Sequence, residues 1–97
     1  MYVVLYQFSV KAGRENDFRQ HWNHLSQAML SETKSVGARL HVGEHGTFVA
    51  YVQWPTKESY EAQTDLSATA VQARTAMLDA CQDISGIQTM QLIEEYK

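Results

Sequence analysis

One cysteine, one proline and eight Lys or Arg are all that this chain of 97 residues holds of those types. Each scarcity closes off a class of protein. A lone cysteine, Cys81, has no partner for an intrachain disulfide and fits a reducing, cytoplasmic setting. The few basic residues are scattered, and the net charge is −3. Nucleic-acid binders carry basic patches, so no nucleic-acid partner is expected. An anionic membrane surface is disfavoured on the same ground. No apolar run approaches the ~20 residues of a membrane span. The start, Met1-Tyr2-Val3-Val4-Leu5, has no basic segment before it and no small-residue cleavage pattern after it, so it reads as a strand rather than a signal peptide. There is no GxGxxG, phosphate loop or GxSxG, which leaves nucleotide, flavin and serine-hydrolase readings without local support.

What is present is a core. Hydrophobic residues make up 44% of the chain and ten are aromatic, enough to fold residues 1–97 as one domain. The most telling segment is the strand Tyr2 to Val10. Tyr2, Val4, Tyr6, Phe8 and Val10 form one row, while Val3 and Leu5 load the other. A half-exposed strand alternates apolar with polar. This one needs cover on both faces.

Lys11-Ala12-Gly13 reads as a turn. From Arg14 to about Ser31, the spacing of Phe18, Trp22, Leu25 and Met29 predicts an amphipathic helix. Ser35-Val36-Gly37 breaks it. A second strand is expected over Ala38 to Glu44, a hairpin at His45-Gly46 and a third strand over Thr47 to Trp54. After Pro55, Thr56 is a natural N-cap for a short helical segment that includes Tyr60. A second segment carries the stripe Leu66, Ala70, Ala73, Met77, Cys81 and Ile84. Gln63-Thr64-Asp65 between the two is expected to be a kink or a cap. Gly86 is expected to end the helix, leaving Ile87 to Tyr96 as the last strand.

The order strand, helix, strand, strand, helix, strand is the ferredoxin-like βαββαβ arrangement of the α+β class. It forms a four-stranded antiparallel sheet with the helices on one face. The other face is too apolar to meet water, and an identical sheet is its simplest cover. A homodimer with two sheets face to face is therefore expected.

Two stretches carry a family resemblance. Val10-Lys11-Ala12-Gly13-Arg14-Glu15-Asn16-Asp17-Phe18, running into Trp22, resembles the strand end, glycine turn and first helix of the antibiotic biosynthesis monooxygenase family. Val52-Gln53-Trp54-Pro55-Thr56-Lys57-Glu58-Ser59-Tyr60 resembles its second landmark, a Trp closing the third strand. The resemblance implies a dimeric α+β barrel with a pocket between helices and sheet in each subunit. It also implies an oxygenase that oxidises phenols or quinols with molecular oxygen and no cofactor. Related haem degraders use an Asn on the first strand, a Trp matching Trp54 and an iron-ligating His. Their Asn falls here on Tyr6 or Gln7, and their His on Gln63 or Thr64. An amide is a poor iron ligand, which argues against haem degradation.

Candidate site residues follow. Trp54 at the strand-to-helix junction is the first catalytic candidate. His21, beside the stripe of the first helix, is the second, as a proton acceptor. Tyr6, Trp22, Tyr60 and Gln63 are candidates for holding an aromatic small-molecule substrate. His41 and His45, four residues apart on a strand, would lie roughly 13 Å apart and share no metal. No structural metal is expected, and Cys81 reads as core. The alternative function is a non-enzymatic dimer that binds a small molecule or haem.

Overall fold

The computed structural model describes residues 1–62 and 66–97. Its elements are β1 (Tyr2–Val10), α1 (Glu15–Glu32), β2 (Gly37–Val42), β3 (Phe48–Trp54), α2 (Lys57–Glu61), α3 (Ala68–Asp79) and β4 (Cys81–Gln91). The strands form one antiparallel sheet in the order β2-β3-β1-β4. The ferredoxin-like order expected from the sequence is therefore present. None of the described helices is long and apolar enough to cross a membrane.

Register aligns the helix-facing rows. Tyr2, Val4, Tyr6 and Phe8 of β1 oppose Trp54, Val52, Ala50 and Phe48 of β3. Ala38 and Leu40 of β2 oppose Val52 and Ala50 in turn. Phe18 of α1 is fully buried over this row, with its ring centroid 5.1 Å from both Phe8 and Phe48. Phe8, Phe18, Phe48, Met77, Ala80 and Cys81 close one end of the layer. Tyr2, Val4 and Trp54 close the other. On the far face Val3 is buried, while Leu5, Val49, Tyr51 and Met90 are half-buried with no helix above them.

The expected cap at Thr56 is present. The Thr56 hydroxyl accepts from the Ser59 N–H at 3.0 Å, and Ser59 Oγ accepts from the Thr56 N–H at 3.1 Å. That reciprocal box fixes the direction in which α2 leaves Trp54. The expected kink or cap at Gln63-Thr64-Asp65 lies outside the described residues. Ser67 caps α3, accepting from the Ala70 N–H at 3.2 Å.

Four sequence expectations at the C-terminal end need correction. The second long helix ends at Asp79, not at Ile84, and the last strand begins at Cys81. The Ala80 N–H turns back to the Met77 carbonyl, and the Ala80 carbonyl accepts from the Lys11 N–H at 2.9 Å. Cys81 then pairs with Val10. A free strand edge on β1 thus outcompetes another helical turn, because each paired residue satisfies backbone groups that burial would otherwise strand. Gly86 does not end a helix. It takes φ +66° in a bulge of β4 between the Leu5–Gln88 and Gln7–Ser85 pairs. A side chain there would be strained by that φ and would meet Gln7 Oε1 at 3.2 Å. The strand then stops at Gln91 and not at Tyr96.

Because Phe18 ties both sheet strands to α1, Phe18→Ala should cost about 3–5 kcal/mol of stability. Urea unfolding monitored by circular dichroism measures it. A loss below about 1 kcal/mol would mean that the helix layer does not depend on this ring.

Candidate functional site

Between the two closed ends of the layer lies a cavity of about 250 Å³. Its floor is the middle of the sheet, where Tyr6, Ala50, Val52 and Ala38 line it. Ala38 and Ala50 are why the space exists. The helices cross the floor at a distance set by Phe18 and Trp54, and two methyl groups do not reach across it. Trp22, Leu25 and Met29 of α1 form one wall, and Arg74, Met77 and Leu78 of α3 another. Leu30, Leu78 and Ile87 are 51%, 37% and 62% exposed, which places the mouth along their edge.

Glu32 braces the two helices over this space. Its carboxylate accepts from the Ser67 N–H at 2.7 Å and from the Ser67 hydroxyl at 2.8 Å. These bonds, the backbone one first, hold the Glu32 carboxyl below its ordinary range. The contact joins the end of α1 to the start of α3, one residue from Leu66 on the cavity wall.

The proposed site residues divide into four groups. Tyr6, Trp22 and Trp54 meet around the cavity. Tyr60 stands behind it, with its ring 5.6 Å from Trp54 and 5.7 Å from Tyr2. His21 does not line the cavity. Its half-buried ring lies 6.4 Å from His24 on α1. Gln63 lies outside the described residues.

Two donors mark the inner end. Trp54 is 1% exposed, and its Nε1–H is the one buried side-chain polar atom without a protein partner among the described residues. An unpaired buried donor costs about 1–3 kcal/mol, a cost the packing of Trp54 against Tyr2, Val4 and Tyr60 must offset. Tyr6 is the second donor. Burial, and then the neighbouring Tyr60 hydroxyl, pushes its phenol up to about 12. Tyr6 is therefore a neutral donor at physiological pH and not a base.

Arg74 is the residue that sequence reading missed. It is the only charged side chain on the cavity wall among the described residues. The signal was present: Leu66, Ala70, Arg74 and Leu78 recur at steps of four, beside the buried stripe of Ala73 and Met77. Cys81 belongs to the core, and burial raises its thiol away from the reactive thiolate range.

Residues 1–74 match the family model described as antibiotic biosynthesis monooxygenase. The chain belongs to that family. Solved structures share the fold over almost the whole chain. A Bordetella bronchiseptica protein described as a candidate antibiotic biosynthesis monooxygenase superposes with a TM-score of 0.79 at 17% identity, covering 96% of this chain and 97% of its own. A Deinococcus radiodurans protein described in the same way gives 0.77 at 19% identity, covering 100% and 97%. A mutant form of SnoaB, a cofactor-independent oxygenase from Streptomyces nogalater, gives 0.79 at 10% identity, covering 97% and 94%. At these identities the likeness is one of fold. No curated protein matches the chain.

The Tyr6 environment has a measurable consequence. Its folded value of about 12 exceeds the unfolded tyrosine value of ~10. The unfolded chain therefore loses this proton first, and the stability tied to Tyr6 is intact below pH ~10 and falls as pH rises towards ~12. A near-ultraviolet phenolate titration should show a late step near 12 that disappears in Tyr6→Phe. A late step that persists in the variant would assign it to another group.

Proposed function

We propose that this protein is a cofactor-independent monooxygenase acting on a phenol, quinol or similar electron-rich aromatic. The observation that carries the reading is an aromatic-walled cavity lined by Tyr6, Trp22 and Trp54. Family membership and the fold shared with SnoaB, an oxygenase that needs no cofactor, support it.

The chemistry asks little of the protein. A ring carbon conjugated with the hydroxyl, a methylene in the keto tautomer, loses two hydrogens and gains one oxygen atom, the second oxygen atom leaving as water. All four electrons that reduce O₂ come from the substrate. Reaction starts from the deprotonated substrate, whose charge sits on an oxygen. Trp54 and Tyr6 donate to that oxygen in a cavity screened from water, where such bonds count most. Trp22 holds the ring flat. Among the described residues no carboxylate or imidazole lines the cavity, so an acidic substrate that binds as its anion suits the site. The same feature favours a second reading, a binding protein without turnover.

The proposal includes a homodimer, with Leu5, Val49, Tyr51 and Met90 of one sheet covered by the same face of another copy. Sedimentation should give a dimer at low micromolar concentration, and a stable monomer there would count against it.

Oxygen uptake with a panel of hydroquinones and anthrone-like compounds tests the activity. Trp54→Phe keeps a ring but removes the N–H, and should lower uptake about 100-fold with an unchanged circular dichroism spectrum. Ligands that raise the melting temperature without any oxygen consumption would establish the binding reading instead.

A further inference from the structure

We infer that the cavity takes a compact aromatic acid of up to three fused rings, with the rings inside and its carboxylate or sulfonate held by Arg74. The inference rests on reading this cavity as the ligand site. It goes further by fixing the size and charge of what enters.

Size comes from the space. At about 250 Å³ the cavity lies below the ~300–1,000 Å³ of ordinary small-molecule pockets. Phe8 and Met77 close it at one end and Trp54 at the other, all three of them buried. Enlarging it would mean moving core side chains, which are packed too densely to yield without cost. A flat system of up to three fused rings fits the space between Trp22, Tyr6 and Trp54, whereas a fourth ring is left in water at the mouth.

Charge comes from the wall. Arg74 is the only ionisable cation there, and no acidic side chain among the described residues lines the cavity beside it. Its guanidinium forms a planar fork of donors suited to a carboxylate or sulfonate. It is exposed and belongs to α3, beside Leu78 at the mouth. The inner end offers only neutral donors, so it suits an oxygen and not an ammonium group. A ligand that enters ring first therefore leaves its anion at the guanidinium. Arg74 is a specificity residue in this scheme and touches no reacting atom.

The test compares three probes by calorimetry on the intact protein: 2-naphthoate, 2-naphthol and 2-naphthylmethylamine. Both tryptophans of the chain line the cavity, so their two indole N–H resonances report whether binding occurs there. 2-Naphthoate should bind roughly fivefold tighter than 2-naphthol, the upper end for a half-solvated ion pair. It should also bind tighter than the ammonium probe, and should shift both indole resonances. Arg74→Gln should abolish the preference for the carboxylate while 2-naphthol binds as before, and Arg74→Lys should restore part of it. Equal affinity for acid and alcohol, or a preference that survives in Arg74→Gln, would overturn the inference. So would binding that leaves the indole resonances in place. Naphthoate selectivity without oxygen uptake on any phenol, quinol or aromatic acid would remove the proposed activity and leave this inference standing. Uptake on neutral quinols without acid selectivity would do the reverse.

Discussion

The pleat of β1 is the constraint on which the rest of the molecule depends. Side chains on a strand alternate strictly, so a shift of one residue would exchange its two rows. β1 is central, hydrogen-bonded to β3 on one side and β4 on the other. Its register with β3 sets four pairs on the helix face, Tyr2–Trp54, Val4–Val52, Tyr6–Ala50 and Phe8–Phe48. Three of these pairs are large on large or filled by core, and one, Tyr6–Ala50, sets a phenol against a methyl group. That pair is where the sheet floor sinks and the cavity opens. The same register sends Val3, Leu5, Val49 and Tyr51 to the other face. Cavity and bare face are therefore two outcomes of one alternation.

The helices keep the floor from being filled. Phe18 is pinned between Phe8 and Phe48, while Trp54 is held by Tyr60 and by the capped turn at Thr56. These two aromatic anchors stand at opposite ends of the layer and act as spacers. Glu32 then joins the far end of α1 to the start of α3 through Ser67. Collapse onto Ala38 and Ala50 would have to break that contact or displace buried rings. A space with apolar walls persists because its supports are packed elsewhere.

Much of this was legible in the sequence, and the misses have physical causes. The doubly apolar β1, the stripe of α1 and the Thr56 cap are local patterns, and local patterns survive folding. The end of α3 was not legible. Cys81 and Ile84 continue the helical spacing of Met77, yet both also satisfy a strand's alternation around the Gly86 bulge. Only the hydrogen-bonding edge of β1, distant in sequence, decides between them. Of the site, Tyr6, Trp22 and Trp54 were found because aromatics at a strand-to-helix junction stand out. Arg74 was missed because a charged residue on a helix reads as solvated unless the facing wall is known. His21 was placed near the site by its position beside the α1 stripe, but its ring turns to His24 rather than to the cavity.

The polar groups that remain around the cavity agree in sign. Tyr6 is held neutral by burial, the Trp54 Nε1–H has no acceptor among the described residues, and Arg74 is a cation. All three offer hydrogens, and none takes a proton at neutral pH. Such a wall cannot abstract a proton, but it stabilises negative charge wherever that charge sits on a ligand. The barrier it lowers is the cost of carrying an anion into apolar surroundings, which is large when no donor is present. The protein thus meets the energetic requirement of a substrate that brings its own reactivity. Under the proposed reaction its contribution is shape and dryness, and both trace to the alternation of β1 and the two small residues in the floor of the sheet.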